Sequence, residues 1–343
     1  MIIKSINLTN FRNHETYHLE CNTDTTLILG ENGCGKTSVL EAIYILTRGK
    51  SFRATDPDIV KRGKDFYRIE IEYDTGEKIV AAYDGDKKVF QVVDKKARRL
   101  PKKNRYPVIL FLPQDLNLVS GSPSRHRDYF DRIFSGFNED YNDTLIRYEK
   151  ALKQRNELLK SEYLPETSLF SWNLMLAKYG TKLYKYRKEL IEEINRKFND
   201  IYHSIADNDD YIELNYKTEL KDITEDKYLK LLEESFNRDR RIEHTSFGVH
   251  KDDFIFIFNN READGSASRG ETRSIILALK FIEAAIVFEK TNQKPIVLLD
   301  DVFSELDEAR RKSLVKNFKD HQVIITSVEK VPEYQVKNKL SRH

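Results

Sequence analysis

The stretch Gly30-Glu-Asn-Gly-Cys-Gly-Lys36-Thr37 limits what this chain can fold into more than any other. It fits the pattern G-x-x-x-x-G-K-[ST], a loop whose backbone N–H groups wrap a phosphate. Leu27-Ile28-Leu29 precedes it and reads as a buried strand, and Ser38–Leu46 follows with apolar residues at helical spacing. Strand, glycine loop and helix in that order aim a helix N-terminus at the bound anion. Gly30, Glu31, Asn32, Gly33, Cys34, Gly35, Lys36 and Thr37 are therefore expected to bind a nucleotide. Lys36 would reach the β- and γ-phosphates, and the Thr37 hydroxyl would ligate Mg²⁺. Cys34 reads as a small side chain that fits a variable slot.

The chain has 343 residues, enough for one large core or two modest ones. Its net charge is +2 although 33% of residues are charged, so the sum neither indicates nor excludes a nucleic-acid partner. No run approaches the roughly 18 apolar residues that span a membrane. The opening Met-Ile-Ile-Lys-Ser-Ile-Asn-Leu alternates like a strand rather than a secretory leader. Only two cysteines occur, Cys21 and Cys34, at no metal-binding spacing. The expectation is a cytoplasmic protein without membrane contact.

Strand patterns cover Ile2–Leu8, Thr26–Leu29, Tyr67–Tyr73, Lys78–Tyr83, Val89–Val93 and Val108–Leu112. From Arg125 to about Ile205 the pattern is helical. Trp172, Met175, Tyr179, Leu183, Tyr186, Leu190, Ile194 and Ile201 fall on one stripe. Tyr141–Lys160 carries a second stripe that ends before Pro165, so an antiparallel helical pair is expected. After Thr245 the α/β character returns, with strands at Asp253–Asn259, Pro295–Leu299 and Val323–Thr326. Helices are expected at Thr272–Phe288 and Asp307–Lys319, and the last ten or so residues show no pattern. The domain reading is a discontinuous head, residues 1–123 plus 240–343, interrupted by a mainly helical insert over residues 124–239.

Three further elements narrow the chemistry. Ile296-Val-Leu-Leu-Asp300-Asp301 is an apolar strand that ends in two carboxylates, the Walker B arrangement. Asp300 would hold Mg²⁺ and Asp301 would polarise the attacking water. Ala267-Ser268-Arg269-Gly270-Glu271 lies just before an apolar helix and is similar to the signature of ABC-type ATPases, although the same residues could simply cap that helix. Ser304-Glu305-Leu306-Asp307 stands at the D-loop spacing, and Gln114, just after the Val108–Leu112 strand, stands in the Q-loop slot as a catalytic and metal-sensing candidate. A plain turn residue is the other reading of Gln114.

With these elements in order, the chain resembles the RecF family of bacterial recombination mediators, short relatives of Rad50 and the SMC ATPases. The resemblance rests on Asn10-Phe-Arg12-Asn13, Leu40-Glu-Ala-Ile, Ser51-Phe-Arg53, Phe111-Leu-Pro-Gln-Asp, Ser124-Arg-His-Arg127-Asp-Tyr-Phe-Asp131, Gly248-Val-His250-Lys-Asp252-Asp253 and Leu298-Leu-Asp-Asp-Val-Phe-Ser-Glu-Leu-Asp307. Departures are Gln114 for the usual Glu, His126 within an Arg-Arg pair, and Val249 for Pro. The resemblance implies an α/β fold: an ABC-type, Rad50-like P-loop ATPase head with mixed sheets, the helical insert forming a second lobe. It also implies that Arg12, Ser268 and Gly270 contact nucleotide, Ser268 doing so across an ATP-dependent homodimer. The implied work is binding duplex DNA near single-strand gaps. With RecR, and through it RecO, the protein would load RecA for recombinational repair, fork maintenance and SOS induction.

Two residues suggest slow turnover. Asp301 is one methylene shorter than the usual Glu, and Thr326-Ser-Val-Glu329 has no switch His. The expectation is a weak, DNA-stimulated ATPase that serves as a binding switch. Lys95, Lys96, Arg98, Arg99, Lys102, Lys103 and Arg105 are seven basic residues without an acid between them. They read equally as a phosphate-contacting patch and as a solvated loop. Arg147, Lys150, Lys153 and Arg155 add charge to the insert. An ABC transporter subunit or an SMC-like structural ATPase is the rival reading. A transporter subunit would usually carry the switch His and a shorter insert than the span from Gln114 to Ala267, and an SMC-type protein would need far longer heptad repeats. His250, Asp252 and Asp253 are chemically open, with structural hydrogen bonding or DNA-side contacts favoured over metal ligation.

Overall fold

The computed structural model describes residues 1–162, 166–329 and 336–340. The chain divides into two compact units, Met1–Leu116 with Glu283–His343, and Asn117–Ile282.

The first unit holds two sheets. The antiparallel one has the order His14–Glu20, Ile3–Phe11, Tyr67–Tyr73, Lys78–Tyr83, Lys88–Val92, Lys95–Ala97. Its strands alternate as half-buried strands must: Tyr67, Ile69, Ile71 and Tyr73 are buried, while Arg68, Glu70 and Glu72 point the other way. The register sets Ile6 against Ile71 and Leu8 against Ile69. The second sheet is parallel, with the order Val336–Leu340, Thr25–Gly30, Val323–Ser327, Ile296–Asp300, Val108–Phe111. Its central strands are continuous apolar runs because both faces are covered.

Helix Lys36–Arg48 is buried nearly all round, as an apolar-rich helix at the heart of a core should be. Val39, Leu40, Ile43 and Leu46 join one cluster with Ile6, Leu8, Ile69 and Ile71 from the antiparallel sheet and Ile28, Leu110, Leu298 and Ile324 from the parallel sheet. Parallel pairing brings Gly30, Asp300, Phe111 and Ser327 to one carboxyl-end edge. In open α/β sheets that edge is where ligands bind.

The second unit is mainly helical, with helices Pro123–Phe137, Glu139–Lys160, Glu166–Ala206, Glu225–Glu234 and Phe236–Ile242. Asp253–Phe258 pairs with Ile212–Lys217 in a small antiparallel sheet. The two long helices are antiparallel: Arg155 bonds Asn173, Arg147 bonds Tyr179, and Tyr141 bonds Arg187, one number falling as the other rises. The break expected before Pro165 lies outside the described residues.

The division differs from the expected 1–123 plus 240–343. Residues 240–282 go with the helices because Asp253–Phe258 pairs with Ile212–Lys217 and packs its Phe254 ring 4.5 Å from Phe130. The stripe also differs. In the 166–206 helix Trp172, Met175, Tyr179, Tyr186 and Ile201 are only half-buried, whereas Asn173, Thr181 and Arg187 are buried beside Leu176, Leu183 and Phe198. Apolar spacing mislocates this face because part of it is polar, Asn173 and Arg187 being internally bonded. Strand Val336–Leu340, where no pattern was expected, pairs with Thr25–Gly30 through the backbone; residues 341–343 lie outside the described residues.

His250, Asp252 and Asp253 resolve into structural hydrogen bonding. The His250 Nε2 donates to the Thr245 carbonyl at 3.0 Å, and its Nδ1 accepts from the Tyr148 hydroxyl at 2.7 Å. Gly248 has φ +136°, and a Cβ there would meet the Tyr228 and Tyr148 hydroxyl oxygens at 2.2 and 2.4 Å. Asp252 pairs with Arg187, and Asp253 with His126. Burial pushes the His250 imidazole down to about 4, with the Lys251, Arg127 and Arg155 charges acting the same way against the Thr245 bond. The unfolded state therefore binds a proton that the folded state refuses between pH 6.5 and about 4. Stability should fall through that window as pH drops, by up to about 1.4 kcal/mol per pH unit. His250→Gln should remove this component: urea midpoints at pH 7 and pH 5 should differ less in the variant than in wild type.

Candidate functional site

The phosphate loop leaves the Thr25–Gly30 strand and enters helix Lys36–Arg48 through Gly35. Gly35 has φ +103°, and a Cβ there would meet His14 Nε2 at 2.4 Å, so only glycine fits. His14 is hydrogen-bonded to the Gly35 carbonyl at 3.1 Å and supports the loop from below. Lys36 is 4% exposed. Its ammonium donates to the Gly30 and Glu31 carbonyls at 2.8 and 3.2 Å and lies 3.4 Å from Asp301 Oδ2.

The Thr37 hydroxyl lies 2.9 Å from each oxygen of Asp300. On the other side Thr326 donates its hydroxyl to Asp300 Oδ1 at 2.8 Å and accepts from the Asp301 N–H at 3.0 Å. Thr326 thus fixes both acids at once, Asp300 by its side chain and Asp301 by its backbone, which sits at φ +50°. Burial pushes the Asp300 carboxyl up; the Thr326 and Thr37 bonds pull it down, neighbouring Asp301 pushes it up again, and the Arg53 charge pulls it down. Asp301 Oδ1 is buried with no partner among the described residues.

A cleft of about 610 Å³ opens above these groups, lined by Arg12, Asn13, Asn32, Gly33, Gly35, Lys36, Thr37, Ser38, Arg53, Ala54, Asp58 and Asp301. Arg12 and Arg53 both bond the buried Glu41 carboxylate. Burial would raise that carboxyl, but bonds from Arg12, Arg53 and Ser51 hold it below the usual carboxylate range. The donors facing the cleft suit a magnesium nucleotide. Thr37 Oγ, the Asp300 carboxylate and the unpartnered Asp301 oxygen are all hard oxygen donors, which fits Mg²⁺.

Other candidates stand apart from this cleft. Cys34 is buried under the loop, where a Cβ on Gly30 would meet its sulfur at 2.4 Å. Gln114 is exposed in the turn after Val108–Phe111 and does not line the cleft. Asp307 caps helix Glu308–Phe318 by accepting from the Arg310 N–H at 3.0 Å.

Ser268 and Gly270 belong to the second unit. There Ser268 Oγ accepts from the Glu271 N–H at 3.3 Å while Glu271 accepts from the Ser268 N–H at 2.6 Å, a reciprocal capping box for helix Arg269–Thr291. Ser268 is exposed, and Gly270 lies in the helix's first turn.

Of the basic candidates, Lys95 and Lys96 lie on an edge strand, Arg98 and Arg99 follow it, and Lys102 and Lys103 start a 3₁₀ turn; all six are exposed, and Arg105 is half-buried. Lysines on an edge strand also discourage edge-to-edge pairing. Arg155 is corrected: it is fully buried, bonded to Asn173, Asp239, Thr245 and the Leu232 carbonyl, and adds no surface charge. Arg53, Glu41 and Thr326 were not among the expected site residues. The block Ser51-Phe-Arg53 was the available signal for the first.

Comparison with known proteins places this geometry. Residues 1–168 match the family model described as an AAA ATPase domain. The DNA replication and repair protein RecF of Clostridium perfringens strain SM101 is 34% identical over 349 aligned positions, covering 98% of this chain and 96% of that protein. RecF of Clostridioides difficile strain 630 is 33% identical, covering 96% and 92%. The chain belongs to the RecF family. Its fold agrees with a structure described as the recombination mediator protein RecF-ATP in the RecFOR pathway, at TM-score 0.85 and 30% identity, covering 96% of this chain and 93% of that one. An SMC head bound to the C-terminal winged-helix domain of ScpA shares the fold at TM-score 0.52 and 15% identity. The RecF family member described here is thus an α/β head with parallel and antiparallel sheets and a helical region. Among its described residues, no helix is long and apolar enough to cross a membrane.

Proposed function

We propose that this RecF family member is an ATP-switched, DNA-binding recombination mediator of the cytoplasm. The observation that carries the nucleotide part is the meeting of Lys36, Thr37, Asp300 and Asp301 in one cleft. The phosphate loop binds ATP, and Thr37 and Asp300 hold Mg²⁺, which when bound offsets the phosphate charge. Lys36, now resting on two carbonyls and Asp301, turns to the β- and γ-phosphates. Asp301 is thereby released to orient a water.

The helical unit presents Ser268 at an exposed helix N-terminus. Its oxygen is engaged as an acceptor, and its hydroxyl proton is available for the γ-phosphate of a second copy's nucleotide, with Gly270 in the same helical turn; Asp307 is the D-loop residue of the head. ATP then joins two heads, and hydrolysis separates them. Turnover is slow because Asp301 is short, Gln114 stands off the cleft and Thr326-Ser-Val-Glu329 offers no switch histidine, and DNA raises it. DNA, duplex near single-strand gaps, meets the exposed basic residues Lys95–Lys103. RecR is the protein partner, and RecO and RecA act through it.

Gel filtration with light scattering tests this reading, run with ATP, with and without gapped DNA. Wild type should shift to dimer mass with ATP and bind DNA as a dimer. Ser268→Arg should bind ATP within about threefold of wild type yet stay monomeric, because a bulky cation replaces the hydroxyl at a close-packed contact. A wild type that stays monomeric with ATP and ignores DNA would sink the mediator reading.

A further inference from the structure

The cleft contains a cationic device that the phosphate loop and Walker B do not account for. Glu41 is fully buried on helix Lys36–Arg48 and receives five donors. Its Oε1 accepts from Arg12 Nη2 at 2.7 Å and from the Ser51 hydroxyl at 2.6 Å. Its Oε2 accepts from Arg12 Nε at 2.9 Å and from Arg53 Nε and Nη2 at 3.0 and 2.9 Å. A carboxylate offers about four lone-pair sites, so Glu41 has no capacity left for a ligand. Two guanidiniums on one carboxylate leave one positive charge in excess, at the lining of the cleft.

The two arginines are not equivalent. Arg12 spends a further donor on the Asp58 carbonyl at 2.8 Å. Arg53 is 37% exposed, and its Nη1 has no partner among the described residues. Its Nη2 lies 3.5 Å from the hydroxyl of Ser38, the residue after Thr37. Its charge also reaches Asp300, whose carboxyl it pulls down against the burial that pushes it up. Arg53 therefore stands on the metal and phosphate side of the cleft.

The turn that carries Arg53 is anchored. The Ser51 hydroxyl, fixed on Glu41, accepts from the Arg53 and Ala54 N–H groups at 3.0 and 3.1 Å. Phe52 packs edge-on against Tyr44 at 5.4 Å.

We propose that Arg53 is a ligand of the terminal phosphate of the bound nucleotide, and that Glu41 is the positioning residue that aims it. This rests on the reading of the cleft as an ATP site. A planar fork held by Nε and Nη2 presents its remaining donors as a rigid pair, which suits a phosphate better than a flexible ammonium would. Glu41 contributes without touching nucleotide: it offsets the repulsion between the two cations and holds Arg53 in place before ATP arrives.

The test is a competition titration of ATP and ADP against a fluorescent nucleotide, with Mg²⁺, on wild type, Arg53→Ala, Arg53→Lys, Ser51→Ala and Glu41→Gln. A charge-assisted hydrogen bond lost only from the terminal phosphate should weaken ATP binding about tenfold or more and ADP binding less than about threefold in Arg53→Ala. Arg53→Lys should recover only part of the ATP preference. Glu41→Gln should lose that preference as Arg53→Ala does. Ser51→Ala, which unpairs no charge, should reduce it about threefold and keeps the positioning claim testable if Glu41→Gln does not fold.

An unchanged ATP-to-ADP ratio in Arg53→Ala overturns the phosphate contact, and a wild-type ratio in folded Glu41→Gln or in Ser51→Ala overturns the positioning. A wild type that binds neither nucleotide overturns the reading of the cleft itself, which is a separate result.

Discussion

Lys36→Ala should weaken ATP binding by roughly two to three orders of magnitude, because it removes charge-assisted contacts to two phosphates. The resting structure shows why the loss should be large. The ammonium is 4% exposed, so its desolvation is already complete before ligand arrives. Its present partners are two carbonyls and Asp301, at 2.8, 3.2 and 3.4 Å. A polyphosphate outcompetes these as a more strongly charged acceptor. In the alanine variant Asp301 keeps its charge and loses its cation, so an incoming phosphate meets repulsion as well as a missing donor. Isothermal titration with ATP and Mg²⁺ checks the affinity. A thermal melt supplies a second readout, since the upward shift that ATP confers on wild type should vanish in the variant. Binding within threefold of wild type would mean that the nucleotide does not lie along this loop.

Much of that cleft was legible because its parts are local in sequence. A strand, a glycine loop and a helix in succession specify the phosphate cradle, and an apolar run ending in Asp300-Asp301 specifies a buried strand with acids at its edge. The α/β character followed from the same periodicities, because a strand covered on both faces has few ways to be written. What could not be read depends on groups far apart in sequence. Thr326 looks like the unremarked end of an apolar strand, and only its pairing beside Asp300 makes its hydroxyl a bridge between two carboxylates. Glu41, Arg12 and Arg53 sit in three separate blocks, and their meeting at one carboxylate is a tertiary event. Strand His14–Glu20 was missed because only His14 and Leu19 of its residues are buried, so polar residues dominate the edge. Arg155 misled for the opposite reason: a charged residue is read as surface, yet it is buried and bonded to Asn173, Asp239, Thr245 and the Leu232 carbonyl.

Arg187→Met should cost about 3–5 kcal/mol of stability, the range for removing one partner of a buried ion pair. Arg187 is 1% exposed and uses all five of its N–H donors. Nε donates to the Tyr141 hydroxyl at 3.0 Å, Nη1 to the Val249 carbonyl at 2.7 Å and to Asp252 at 3.0 Å, and Nη2 to both Asp131 oxygens at 2.9 and 3.0 Å. Its guanidinium also lies 5.6 Å from the centre of the Phe254 ring. These partners come from helices Pro123–Phe137 and Glu139–Lys160, the 3₁₀ turn Val249–Lys251 and the strand beginning at Asp253. One side chain therefore ties together four elements of the helical unit.

Methionine fills much of the volume but leaves the half-buried Asp131 and the buried Asp252 without a counter-ion. Burial already pushes the Asp252 carboxyl up even with Arg187 beside it, so in the variant, without that counter-ion, it should take up a proton more readily as pH falls. The penalty should accordingly shrink as pH falls, the reverse of the wild-type trend produced by His250. The triple replacement Arg187→Met, Asp131→Leu, Asp252→Leu should recover at least half of the loss, because apolar groups can replace a buried ion cluster at little net cost. Urea unfolding of the single and triple variants at pH 7 and pH 5 measures all three expectations. A single variant within about 1 kcal/mol of wild type would show that the cluster contributes specificity of packing rather than stability.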